Sequence, residues 1–276
     1  MEEPVQPGTR PAVLVTVSAA QKKSRHPEVY QPKIHQIHEG IDTALLGPDP
    51  QAQVKMPNGT VLQAGDPVIT YVSRNLEPYR GFDSFMRALE KIQQAHPTCH
   101  AIIVGGDDVS YGQKPQGAAN WREKMLQEVT LDASRTHFLG KVPYDVYRKV
   151  LQVSGAHVYL TYPFVLSWSI LEAMASGCLI VGSDTAPVRE VIEHGRNGLL
   201  VNFFDPKAIA EEVVMALEHP GDVRQMRASA WQVTNDRYGL VRGEQLYRWL
   251  IQPTGNERNK KRMNTIFAMS FEGALQ

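Results

Sequence analysis

From residue 67 onward the chain alternates between two kinds of hydrophobic pattern. Short apolar runs occur at 68–73 (VITYVS), 100–106 (HAIIVGG), 136–142 (THFLGKV), 156–162 (AHVYLTY), 179–184 (LIVGSD) and 197–202 (NGLLVN). Such runs predict buried strands. Between them lie segments whose apolar positions recur at helical spacing: 82–96, 121–129, 144–154, 167–177, 187–195 and 206–219. This β-α alternation with short connections predicts a parallel sheet flanked by helices, in which ligands sit at the carboxyl ends of the strands.

Outside that block the signals are weaker. Residues 12–17 (AVLVTV) and the alternating 34–37 each suggest a strand. Residues 54–66 suggest a hairpin, with Asn58-Gly59 as a type I′ turn. Helical patterning resumes after 222 and runs to 250. The expected organisation is an N-terminal segment 1–33, a connection with hairpin 34–66, an α/β domain 67–222, C-terminal helices 223–252 and a tail 253–276. The KKR of that tail reads as part of a solvated end, or as a basic patch.

Composition narrows the class. The 276 residues carry 29 basic and 29 acidic side chains, a balance that argues against a general nucleic-acid binder. No run approaches the roughly 20 apolar residues that span a membrane. The opening MEEPVQPGTR is acidic and proline-bearing, unlike a secretory signal. Cys99 and Cys178 have no metal-ligand spacing, and the nine histidines are scattered, with His35 and His38 near the connection. A cytoplasmic location and no metal are expected.

Candidate chemistry collects at strand ends. Arg74 follows the run at 68–73, and Arg80-Gly81 precedes a helix. Two guanidiniums around a turn either clamp a diphosphate or are surface charges. Gly105 lies in VGGDD, where glycine permits close approach of a ligand or a tight turn. That stretch is no GxGxxG fingerprint, and no G-x-S-x-G elbow occurs, which argues against the nicotinamide and serine-hydrolase readings. In SWSILEAMASG, Ser167 or Ser169 caps a helix whose first amides either are simply capped or receive phosphate oxygens. Glu172 stands in the middle of that helix among small and apolar neighbours. A buried carboxylate needs hydrogen-bond partners, supplied by the protein or by a ligand.

Six stretches in order resemble the nucleotide-sugar-binding half of family 4 glycosyltransferases. They are IHEGIDTALLGP, YVSRNLEPYRGFDSFMRAL, AIIVGGDDVSYG, HFLGKVPYDVY, LTYPFVLSWSILEAMASG and GSDTAPVREVIEHGRNGLLV, covering roughly 34–217. The resemblance implies the C-terminal, Rossmann-like half of a GT-B fold, with most of the N-terminal, acceptor-binding domain missing. It implies that Arg74 and Arg80 stabilise the donor diphosphate as the catalytic clamp. It further implies that Glu172 accepts the ribose hydroxyls, that the backbone of Ser167, Trp168 and Ser169 meets the phosphates, and that Val142 lies beside the base. The family's first motif glutamate is replaced by Phe164, as in a variant resembling a bacterial branch.

The activity implied is retaining transfer of a sugar from a nucleoside-diphosphate donor to a saccharide or lipid-linked acceptor. No metal cofactor would be needed, and a separate acceptor-binding domain or a homodimer would be the partner. Contact with the inner membrane, in a cytoplasmic bacterial setting of polysaccharide biosynthesis, is compatible with it. The rivals are a nucleotide-sugar-binding module without turnover and a GT-B-type nucleotide-sugar epimerase.

Overall fold

The computed structural model describes residues 14–16, 34–38, 40–162 and 166–251. The segments before Leu14, the tail and Phe164 lie outside the described residues.

Two short parallel strands, β1 (Leu14–Thr16) and β2 (Ile34–Gln36), form one small sheet, and β3 (Gln53–Lys55) and β4 (Val61–Gln63) form the antiparallel hairpin. The main sheet uses β5 (Val68–Asn75), β6 (His100–Gly106), β7 (Thr136–Gly140), β8 (Ala156–Tyr159), β9 (Leu179–Ser183) and β10 (Leu199–Val201). Its spatial order is β10-β9-β8-β5-β6-β7, and every pairing is parallel. The chain steps outward from β5 to β7, then crosses back to set β8 beside β5. Loops leaving β5 and β8 therefore diverge and open a crevice at the carboxyl edge.

The helices are α1 (Phe82–Ala95), α2 (Trp121–Glu128), α3 (Tyr144–Gln152), α4 (Trp168–Ala175), α5 (Ala186–Arg189), α6 (Pro206–Glu218), α7 (Arg224–Tyr238) and α8 (Leu240–Ile251). Strand residues alternate between faces. Ile69, Tyr71, Ile103, Val158 and Val181 pack with Phe85, Met125 and Ile209 of α1, α2 and α6. Tyr159 and Ile180 pack with Leu151, Ile170, Val188 and Ala230 of α3, α4, α5 and α7. The hairpin completes this second face over Val68, Ile102 and Val104. One polar group interrupts it: Thr70 Oγ1 lies 2.7 Å from Ser154 Oγ and 2.8 Å from His157 Nδ1. Burial lowers the His157 pKa to about 4, so the ring is neutral.

Three expectations need correction. The hairpin turn is not type I′, because no non-glycine residue among the described residues has positive φ. Gly59 N–H bonds Met56 O at 2.9 Å, which puts Pro57 and Asn58 in the turn and leaves the left-handed position to Gly59, φ 91°. Proline fixes the first turn position where a I′ turn would need positive φ. The helix expected over 187–195 stops at Arg189, because Asn197 takes its next groups: its Oδ1 accepts from Glu193 N–H and its Nδ2 donates to Val191 O. Finally, β5 runs on to Asn75, so Arg74 lies within the strand rather than beyond it.

Candidate functional site at the carboxyl edge of the sheet

The carboxyl end of β5 passes into a single 3-10 turn, Pro78–Arg80, and then α1. Gly81 makes that junction at φ 69°, packed so closely that a Cβ would stand 2.5 Å from Leu160 Cβ. The turn is pinned from below by the Tyr71 hydroxyl, which donates to Arg80 O at 2.8 Å. Arg80 is thereby aimed across the crevice toward the end of β8. Its Nη1 donates to Thr161 Oγ1 at 3.3 Å, its charge acts on the buried Tyr159 hydroxyl, and its guanidinium lies 5.9 Å from the Tyr111 ring centre. Arg74 is exposed near the end of β5.

Tyr159, at the end of β8, reaches the start of α4. Its hydroxyl accepts the Ser167 N–H at 2.7 Å. Ser167 caps α4, its Oγ accepting from Ser169 N–H at 3.3 Å and lying 2.9 Å from Ser169 Oγ. The amides of Ser167 and Ser169 thus have partners within the protein. Trp168, the first helical residue, packs at 6.2 Å against the His38 ring, which also meets Tyr238 edge-on. Burial lowers the His38 pKa to about 4. The helix closes with Gly177 N–H on Met174 O and Cys178 N–H on Ala173 O, a Schellman closure that needs the glycine at φ 80°.

Glu172 lies just over one turn into α4, and the protein does supply partners for it. The Tyr147 hydroxyl donates to Oε2 at 2.8 Å and the Tyr144 hydroxyl to Oε1 at 3.2 Å. Burial raises the Glu172 pKa, and the two hydroxyls pull it back down. Both tyrosines come from α3, whose start follows Val142 and Pro143. Val142, half-buried, is therefore two residues from a group that touches the carboxylate.

Gly105 is packed tightly. A Cβ there would stand 2.8 Å from both Ser73 O and Leu76 Cδ2, so its bareness serves packing of β6 against the end of β5. Beyond it the loop 107–120 is held by Glu77, a carboxylate only 1% exposed. Its Oε2 accepts the N–H groups of Ser110, Tyr111 and Gly112 at 3.3, 3.1 and 3.0 Å. Asn75 Nδ2 adds a bond to Ser110 Oγ at 2.7 Å.

Thr161 meets Arg80, Tyr159 meets the start of α4, and Tyr147 and Tyr144 meet Glu172; none of these four was singled out by the linear pattern. Only their positions, at the ends of predicted strands or the start of a helix, offered a signal. Both cysteines are buried, and burial pushes each thiol up to about 12, which leaves them unreactive. Among the described residues no three His, Cys, Asp or Glu side chains group to hold a metal, and no helix is long and apolar enough to cross a membrane.

A twisted parallel sheet in this strand order, with an arginine and a helix start meeting at its topological switch point, defines a Rossmann-type α/β domain with an anion-ready crevice. The chain belongs to the family Glycosyl transferases group 1, whose profile matches residues 66–219. It is 27% identical over 236 residues to a GDP-mannose-dependent alpha-(1-6)-phosphatidylinositol monomannoside mannosyltransferase of Mycolicibacterium smegmatis, covering 83% of this chain and 58% of that one. It is 24% identical over 196 residues to a D-inositol 3-phosphate glycosyltransferase of Acidothermus cellulolyticus, covering 68% and 41%. The chain thus spans about half the length of these curated relatives.

Among solved structures, Anabaena Alr3699/HepE in complex with UDP and glucose superposes with a TM-score of 0.70 at 19% identity, over 88% of this chain and 63% of that one. The C-terminal domain of a glycosyl transferase group 1 protein (LpcC) of Francisella tularensis is covered in full, with a TM-score of 0.61 at 18% identity. The architecture is that of the C-terminal half of a GT-B fold.

Proposed function

We propose that this chain forms the donor domain of a retaining glycosyltransferase that moves a sugar from a nucleoside-diphosphate donor to a saccharide or lipid-linked acceptor. The observation that carries the reading is the meeting of Arg80, the α4 start and Glu172 around the crevice between β5 and β8. As the bond from the anomeric carbon to the diphosphate oxygen breaks, negative charge grows on the diphosphate. Arg80, Arg74 and the α4 start stabilise that charge, without a metal cofactor, most strongly where it is largest. Glu172 anchors the ribose hydroxyls, and the backbone at Val142 flanks the base. The acceptor approaches from the open side of the crevice, where a second domain or a partner chain would complete the site. Relatives whose names specify phosphatidylinositol mannosides and inositol phosphate support an acceptor of the polyol or lipid-linked class.

Calorimetric titration with UDP, GDP and ADP tests the reading. One nucleotide should bind, and Glu172→Ala should weaken it by about 1–3 kcal/mol, the worth of hydrogen bonds to a charged group. Arg80→Ala should weaken the diphosphate far more than the corresponding nucleoside. If the folded parent binds none of the three, the reading fails.

A further inference from the structure

Glu172 offers two carboxylate oxygens, and each accepts one tyrosine hydroxyl from the same helix. The two tyrosines are not equivalent. Tyr147 is 9% exposed, packed in the core beside Leu151 and Ile170, with its hydroxyl 2.8 Å from Oε2. Tyr144 is 37% exposed at the first position of α3, and its bond to Oε1 is longer, 3.2 Å. Their rings lie 5.7 Å apart at a tilt of 42°, so Tyr144 can turn outward without disturbing Tyr147. A vicinal diol binds a carboxylate best with one hydroxyl on each oxygen. A buried partner with no room to move keeps its bond, whereas an exposed one exchanges cheaply with another hydroxyl.

We propose that Tyr147 is a fixed strut that aims the Glu172 carboxylate, and that Tyr144 occupies the place one ribose hydroxyl takes when nucleotide binds. This rests on Glu172 being the ribose acceptor. Tyr147 is then a positioning residue, and Tyr144 is a competitor that sets how much of the ribose contact appears as affinity. The carboxylate is kept satisfied by an internal hydroxyl of the same chemical kind as the ligand's. The desolvation cost of a buried, bare carboxylate is thereby reduced.

The two roles give opposite signs. The test is calorimetry at neutral pH with the full chain, using the tightest of UDP, GDP and ADP and its 2′-deoxy form. Tyr144→Phe should tighten the ribonucleotide by roughly three- to tenfold, because binding no longer has to break a hydrogen bond. Tyr147→Phe, which keeps the ring and its packing, should weaken it by about tenfold and shrink the preference for ribose over deoxyribose. A merely structural tyrosine would lower the melting temperature without changing that preference. If both variants shift affinity in the same direction, or neither shifts it while Glu172→Ala still weakens binding, the division of roles is overturned and the ribose assignment survives. If Glu172→Ala binds like the parent, the donor-site reading falls, and this inference with it.

Discussion

Gly81 has no space for a side chain, and Glu172 has a charge its surroundings resist. At Gly81 the left-handed φ of 69° and the contact with Leu160 act together. Gly81→Ala should cost about 2–4 kcal/mol, a steric overlap added to backbone strain. A denaturant midpoint within error of the parent would show that the β5–α1 junction relaxes freely. At Glu172 burial raises the carboxyl pKa, so the ionised form opposes folding at neutral pH. The sign follows: a raised acid adds stability below its ordinary pKa and loses it as pH rises through the raised value. Glu172→Gln should therefore raise the thermal midpoint at neutral pH while weakening nucleotide binding. A lowered midpoint would mean that the two tyrosines more than offset desolvation.

At the scale of elements, the loop between β6 and α2 has little apolar anchorage and depends on Glu77. Three backbone N–H groups converge on one buried oxygen of that carboxylate. Removing it leaves those donors unpaired, so Glu77→Ala should cost about 1–3 kcal/mol. The release should show as faster amide exchange at 110–112, with β5 and β6 still protected; uniform exchange across the domain would point to global unfolding instead. Tyr111, whose ring stands against Arg80, belongs to this loop. Glu77→Ala should therefore also loosen diphosphate binding. Helix α4 is legible in the sequence because cap, apolar face and terminating glycine lie within a dozen residues. Helix α5 is misjudged because its end is set by Asn197, reached only after the chain turns back.

For the whole molecule, acid should act through buried histidines. His157 and His38 are held neutral by burial, each lowered from 6.5 to about 4. The unfolded chain therefore takes up protons first as pH falls. Their contribution is complete above pH 6.5 and is lost as pH drops toward 4. For a fully buried ring a shift of this size corresponds to a loss on the order of 3 kcal/mol. In the Glu172→Gln variant, which lacks the opposing carboxyl, urea midpoints should fall steadily from about pH 7 to about pH 4.5; a level profile would mean that the two rings are already protonated or exposed.

The α/β class, the six strands in chain order and the candidate residues Arg80, Ser167 and Glu172 are legible from residue order alone. Those features follow from local periodicity and local caps, which a linear reading can count. Which strands are neighbours, and hence that the ends of β5 and β8 face one crevice, is set by the three-dimensional fold. The fold also brings Tyr144 and Tyr147 to Glu172, the Tyr159 hydroxyl to the start of α4 and Gly105 against the end of β5. Most of these contacts join residues well apart in the chain, and such pairings are fixed by strand order and by the crossover between β7 and β8, on which residue pattern is silent.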